Sequence, residues 1–298
     1  MTTQRDGTFQ RIQLGPARTL FALRVSEDDE GDWSCLYRIV IADDPSQPPE
    51  VEVLMGFAGW LTDFWRAEDK TFFLGTVDGD VFILGTEGSR EYALESGGIA
   101  QIFARSVDDV CVATTSGAIL RWNGDTWASM GPAAVGSPRP GSVCGLHAIG
   151  GLADGRVVAV GERGRILVQD GSSWQSVEAP SNNALTAIGT MLGATYIGGE
   201  GGVCYRLQPD LTLVPVPGPT YGTFGFVSYR GRGYSASQAA GLMILKDEGT
   251  DAEKLETFAR PLQPYGIAAQ DDLLVVHSED SLAWFDGATW HALDIDVG

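Results

Sequence analysis

The sequence predicts an all-β fold, a single β-propeller of about seven four-stranded blades. Three observations predict it. Short apolar runs rich in Val, Ile, Phe and Tyr are broken by Gly, Asp and Ser, the pattern of strands and hairpins. One phrase, Gly-x-Ile-Leu followed by Asn/Asp-Gly-x-x-Trp, occurs at Gly117–Trp127 and Gly164–Trp174, with a variant at Asp280–Trp290. Corresponding glycines, Gly79, Gly117, Gly164, Gly201 and Gly241, are spaced by 38, 47, 37 and 40 residues. A period of about 40 residues is that of a four-stranded propeller blade.

Within the phrase, the Asn-Gly and Asp-Gly pairs suit tight hairpin turns that need a positive φ. The Trp opens the next strand. Labelling the strands of each blade a to d, the a strands are expected to start near Thr19, Leu61, Ile99, Val143, Leu185, Thr223 and Gly266. The first unit, Arg18 to Phe57, is irregular, with an acidic insertion at Ser26–Asp32 and a Pro-rich turn at Pro45–Pro49. It leaves six and eight blades open as alternatives. The segment Phe9–Leu14 is expected to be a d strand ahead of the first a strand, placed to close the ring on the last blade. The last blade also has a d strand of its own in Trp290–Ile295, so both closures stand. A lone blade cannot bury both of its faces, so residues 1–298 are expected to form one domain.

At these residues the chain resembles bacterial propellers of the broad YVTN, Asp-box and Trp-Asp repeat group, over roughly residues 18–296. The Asp-box reads Ser/Thr-x-Asp-x-Gly-x-x-Trp. Gly124-Asp125-Thr126-Trp127 and Gly171-Ser172-Ser173-Trp174 keep only its Gly-x-x-Trp end. The resemblance implies the fold and structural turns; it names no substrate, because propellers carry many unrelated activities.

The formal net charge is -19, from 39 acidic and 20 basic residues. Such a surface repels phosphate backbones and anionic lipid, which argues against nucleic acid and membranes as partners. It attracts a basic protein and speeds its docking. Cys35, Cys111, Cys144 and Cys204 lie far apart without a CxxC pair, so they are expected to be buried thiols rather than zinc ligands or disulfides. The first six residues hold no apolar core of a secretion signal, and no run of eighteen apolar residues occurs, so a cytoplasmic location is expected.

In a propeller the d–a links and b–c turns share one face. The predicted b–c turns carry Asp78, Asp80, Glu162, Arg163, Glu200, Glu279 and Asp280, and the starts of the a strands carry Arg18, Trp60, Tyr221 and Tyr265. Aromatic anchors inside a polar rim have the composition of a protein-binding hot spot. The segment Gly59–Arg66 departs most from the repeat; alternation puts Trp65 and Phe64 on opposite sides, one in the core and Trp65 a further contact candidate. The predicted partner-binding set is therefore Arg18, Trp60, Trp65, Asp78, Asp80, Glu162, Glu200, Tyr221, Tyr265, Glu279 and Asp280. The irregular loops Ser26–Asp32 and Met130–Gly141 are the other departures from the repeat.

Catalysis is thinly represented. The three histidines, His147, His277 and His291, fall in different strands with no HxxxH or HxH spacing, and no Gly-x-Ser-x-Gly elbow occurs. Asp78-Gly79-Asp80 reads as a hairpin turn rather than a calcium loop. No catalytic residue, metal ligand or cofactor is assigned. The leading expectation is a protein-binding propeller that is not an enzyme. Its sharpest form is an immunity-type protein that neutralises a basic bacterial toxin. The alternatives are a hydrolase or a sugar or small-ligand binder using the channel mouth, and a scaffold with several weak partners.

Overall fold

The computed structural model describes residues 7–28, 31–86, 88–130, 144–217, 221–246, 249–251 and 263–293. They form seven four-stranded sheets, each from four consecutive strands. The fold is all-β, a seven-bladed propeller. Apart from 3-10 turns at Glu162–Gly164 and Glu200–Gly202, the described residues carry no helix. The a strands are Gly7–Gly15, Leu61–Arg66, Ile99–Ser106, Leu146–Gly151, Leu185–Met191, Thr223–Tyr229 and Gly266–Gln270. Five start where the repeat predicts, and the fourth starts at Leu146 rather than Val143. The expected loop Met130–Gly141 lies, beyond Met130, outside the described residues.

The first blade departs from expectation. Thr19 opens its b strand, Thr19–Asp28, and Gly7–Gly15 is its a strand. The segment Phe9–Leu14 therefore belongs to blade 1 and does not complete the last sheet, which is built from Gly266–Gln270, Leu273–His277, Leu282–Phe285 and Trp290–Leu293. The cause is a tight turn at Pro16–Arg18. Ala17 and Arg18 both adopt left-handed φ, 53° and 54°, the Thr19 amide donates to the Pro16 carbonyl, and Gly15 pairs with Thr19. A strand folded back this sharply on its successor pairs with that successor. The acidic insertion is likewise ordered pairing: Ser26 faces Trp33, Glu27 faces Asp32 and Asp28 faces Gly31, extending the b–c hairpin.

The chain divides into two compact units, Met1–Leu61 with Phe224–Gly298, and Thr62–Thr223. In the first unit, one apolar cluster joins blade 1 (Phe9, Ile12, Leu20, Tyr37, Ile39) to blade 7 (Leu273, Val275, Trp284). A second joins blades 6 and 7 through Tyr229, Tyr234, Leu242, Leu274 and Trp290. In the second unit, separate clusters join blades 2 and 3, 3 and 4, and 4 and 5. The b strand of blade 3, 4 or 7 is sandwiched between two such clusters. It therefore reads as an unbroken apolar run, as in Val157–Gly161 and Leu273–His277, where every residue is buried. A strand covered on both faces loses the apolar/polar alternation of a half-exposed one. Strand d of blade 2, Gly88–Ala93, is by contrast almost wholly exposed.

Ile166 shows what holds neighbouring blades together. It is fully buried, in a cluster shared by Val158 and Val168 of its own blade and by Leu185, Ile197 and Leu207 of blade 5. Burying such a side chain stabilises by about 1.5–3 kcal/mol, and removing it also leaves a cavity. Ile166→Ala is expected to cost about 2–5 kcal/mol, read as a lower urea midpoint at unchanged slope.

Candidate functional site

In both units the b–c turns and the starts of the a strands meet through main-chain hydrogen bonds. In the second unit, the Thr115 amide donates to the Gly98 carbonyl (2.8 Å), Glu162 to Gly145 (3.0 Å) and Glu200 to Ala184 (2.9 Å). In blade 7 of the first unit the Tyr265 amide donates to the His277 carbonyl at 2.8 Å. These contacts are made by backbone and do not draw on the acidic side chains of the turns. Asp78, Glu162 and Glu200 are exposed on this end of the second unit, with Asp80 half-buried; Tyr221, near the end of this unit's chain, is 51% exposed. Glu279 and Asp280 are exposed on the same end of the first unit, with Trp60 and Tyr265 half-buried.

Two predicted contact residues lie elsewhere. Arg18 sits in the a–b turn of blade 1, at the opposite end of the sheets, because Thr19 begins strand b rather than strand a. Its side chain is only 13% exposed, pairs with Asp272 at 2.5 Å, and lies 5.2 Å from the Trp284 ring centre. It ties blade 1 to blade 7. Trp65 is a packing residue: its ring sits 5.8 Å from Phe73 against the cluster joining blades 2 and 3. Phe64, on the other side of the strand, is buried as well, since neither face of the sheet is open.

The first unit contains a cavity of about 240 Å³ lined by Thr8, Phe9, Gln10, Tyr265, His277 and Glu279. It opens on the end that carries the d–a links. The Phe9 amide donates to the Glu279 carbonyl at 2.7 Å, which fixes one wall against the other. The Tyr265 hydroxyl donates to Glu279 Oε1 at 3.0 Å and accepts from Gln238 Nε2. Its ring packs on Phe224 at 5.4 Å. Burial, and then the adjacent Glu279 carboxylate, raise the pKa of the Tyr265 phenol above its ordinary value, so it stays a donor. Gln10 Nε2 donates to the Thr8 hydroxyl at 2.7 Å.

Tyr265 and Glu279 were legible as turn residues; Thr8, Gln10 and His277 were not. His277 was read as structural, yet it breaks the repeat in a recognisable place. It is the last strand-b residue paired to strand c, at a register where blades 3, 4 and 5 have Ala113, Val160 and Gly198. Its partner on strand a differs too. Ala113 pairs with Gln101, Val160 with Ala148 and Gly198 with Ala187, whereas His277 pairs with Gly266. A Cβ at Gly266 would overlap the imidazole Nε2, so the ring fills the space a side chain at 266 would occupy. Burial pushes the imidazole down to about 4, a neutral ring at physiological pH. The Ser278 backbone acts weakly in the other sense, but Nδ1 makes no hydrogen bond.

The remaining histidines lie apart from this pocket's lining. His147 is exposed. His291 stacks on Trp284 at 4.2 Å and sits 3.1 Å from Asp286. Asp286 belongs to the Asp-Gly-x-x-Trp turn, where its Oδ1 accepts from the Ala288 and Thr289 amides; Asn123 does the same for Asp125 and Thr126. These bonds, that of Thr289 foremost, hold the Asp286 carboxyl down at about 2. Such turns are structural, as the sequence predicts. Cys111, Cys144 and Cys204 are buried free thiols, and Cys35 is a half-buried one. Among the described residues no group of three His, Cys, Asp or Glu side chains is placed to hold a metal ion. Nor is any helix there long and apolar enough to cross a membrane.

The described residues define the class of the molecule as a seven-bladed propeller of the WD40-like type. It is similar to the WD40 β-propeller domain of Doa1, with a TM-score of 0.73 and 9% identity over 95% of this chain and 93% of that one. YCF48 from Cyanidioschyzon merolae gives a TM-score of 0.67 at 12% identity, over 94% of this chain and 95% of that one. At such identities the likeness shows the fold alone. In sequence, the chain is similar to the immune protein Tsi7 of Pseudomonas aeruginosa, 25% identical over 237 residues, which are 76% of each chain. No protein-family model matches the chain.

Two predictions follow from the His277–Gly266 exchange. Gly266→Ala alone is expected to destabilise by about 1–3 kcal/mol through overlap of its Cβ with the imidazole. The double change Gly266→Ala with His277→Gly rebuilds the Ala187–Gly198 pairing of blade 5 and is expected to recover most of that loss, measured by urea melts. The second concerns acid. With a folded value of about 4 against an ordinary 6.5, the unfolded chain binds the extra proton first. The His277 contribution is therefore complete above pH 6.5 and lost as pH falls towards 4, about 3 kcal/mol in all. Urea midpoints recorded across that window should show the slope in the native chain and lose it in the double variant.

Proposed function

We propose that this chain is an immunity-type propeller that binds a basic protein toxin in the cytoplasm and holds it inactive. Its role in this reading is binding rather than chemistry. The observation that carries it is the similarity to the immune protein Tsi7 across three quarters of the chain. The charge supports it independently: a net -19 gives long-range attraction for a cationic partner. So does the placement of acids. Asp78, Glu162 and Glu200 project from turns whose hydrogen bonds are made by main chain, so the carboxylates are available to a partner without cost to the fold. Rim charges of this kind act chiefly on the rate of association.

The test is co-expression with the polypeptide encoded beside this chain. The expected result is restored growth and a complex that co-purifies at low salt, with association slowing as salt is raised. Replacing Asp78 by Asn and Glu162 and Glu200 by Gln together is expected to slow association roughly tenfold at low salt with little change in melting temperature. Absence of any complex with a basic protein encoded nearby, under low-salt conditions, overturns the proposal.

A further inference from the structure

We propose that the pocket formed by Thr8, Gln10, Tyr265, His277 and Glu279 receives a single lysine or arginine side chain of the protein partner. This rests on the protein-binding reading above and names the group that enters the pocket.

The chemistry of the walls selects a cation. Among the described residues lining the cavity, Glu279 is the one that carries a formal charge. Tyr265 donates to its Oε1, which orients the carboxylate and leaves Oε2 to accept from a ligand. Gln10 spends its amide N–H on Thr8, leaving its carbonyl oxygen as an acceptor. The imidazole of His277 adds no positive charge, since it is held neutral by burial, and a neutral ring offers one nitrogen as an acceptor. Arg11 acts on that ring electrostatically but is not part of the lining. An anion would meet a carboxylate here, whereas an ammonium or guanidinium supplies donors to several oxygens at once, as a charge-assisted contact requires.

Two further observations mark a built site rather than a surface dip. His277 is 2% exposed, and its Nδ1 has no hydrogen-bond partner in the structure. A buried polar atom left unpaired costs stability unless something satisfies it. The imidazole is also placed by a paired exchange: where blades 3, 4 and 5 pair Ala113 with Gln101, Val160 with Ala148 and Gly198 with Ala187, this blade pairs His277 with Gly266, whose missing Cβ leaves the ring its space. The size fits: about 240 Å³ holds roughly eight waters at liquid density, room for a charged head group and the last methylenes of its stem.

The experiment uses the full chain and small probes. The His277 ring resonances are followed by NMR during titration with ethylguanidinium and with n-butylammonium, then with the uncharged n-propylurea and the anion butyrate. Saturable shifts with the cations alone are expected, with affinity about tenfold lower in Glu279→Gln, whose exposed position leaves folding intact. An equal response to n-propylurea, or no response to either cation, overturns the proposal, as does an unchanged affinity in Glu279→Gln. These probes need no protein partner. A failure here leaves complex formation with a toxin untouched, and a missing complex leaves the pocket result standing.

Discussion

One backbone contact recurs through the blades, and the turns depend on it. Where strand b ends and strand a begins, main chain meets main chain, as in the bonds from Glu162 to Gly145 and from Glu200 to Ala184. The approach is close enough that a Cβ at Gly161 would overlap the Gly145 carbonyl oxygen, and one at Gly199 the Ala184 oxygen. These two glycines are thus demanded by contact, not by dihedral angle. Because the closure uses no side chain, the acidic side chains of these turns are not needed for it. That separation explains how this end of the second unit's sheets can carry Asp78, Glu162 and Glu200 without weakening the packing beneath.

The period of the fold was legible because each blade repeats the same compromise between an apolar b strand and a glycine-bearing turn. Where a turn used another device, the reading slipped. Pro16-Ala17-Arg18 reverses the chain with non-glycine residues in the left-handed region, and nothing in their identity announces it. The error displaced Thr19 by one strand and moved Arg18 to the wrong end. Trp65 was misassigned for a different reason: alternation sorts residues into two sides, but in a stacked blade both sides are core. Of the pocket, Tyr265 and Glu279 could be placed from the repeat alone. Thr8 and Gln10 could not, since their part depends on blade 1 lying against blade 7. The signal at His277 was present all along, a large polar residue at a register held by Ala113, Val160 and Gly198 in blades 3, 4 and 5.

Electrostatics divides the polar groups into two kinds. Asp286 and Asn123 spend their side chains on neighbouring amides, and Arg18 is committed to Asp272 and the Trp284 face. They hold the molecule together. The exposed turn carboxylates of Asp78, Glu162 and Glu200 have no such duty among the described residues. Charges this exposed are screened over about 8 Å at physiological ionic strength, so they cost the fold little while still guiding an approaching cation. A chain can therefore carry a net charge of -19 and remain densely packed.

The pairing of Gly266 with His277 also constrains how such a blade could have arisen from one like its neighbours. Two substitutions separate an Ala–Gly pair such as Ala187–Gly198 from the Gly266–His277 pair, and their order matters. Placing the histidine first would drive the ring into the space of the alanine Cβ. Losing that Cβ first leaves a glycine in a strand, a defect of about 0.5–1 kcal/mol. The passable route runs through an empty space, later filled by a group able to form hydrogen bonds.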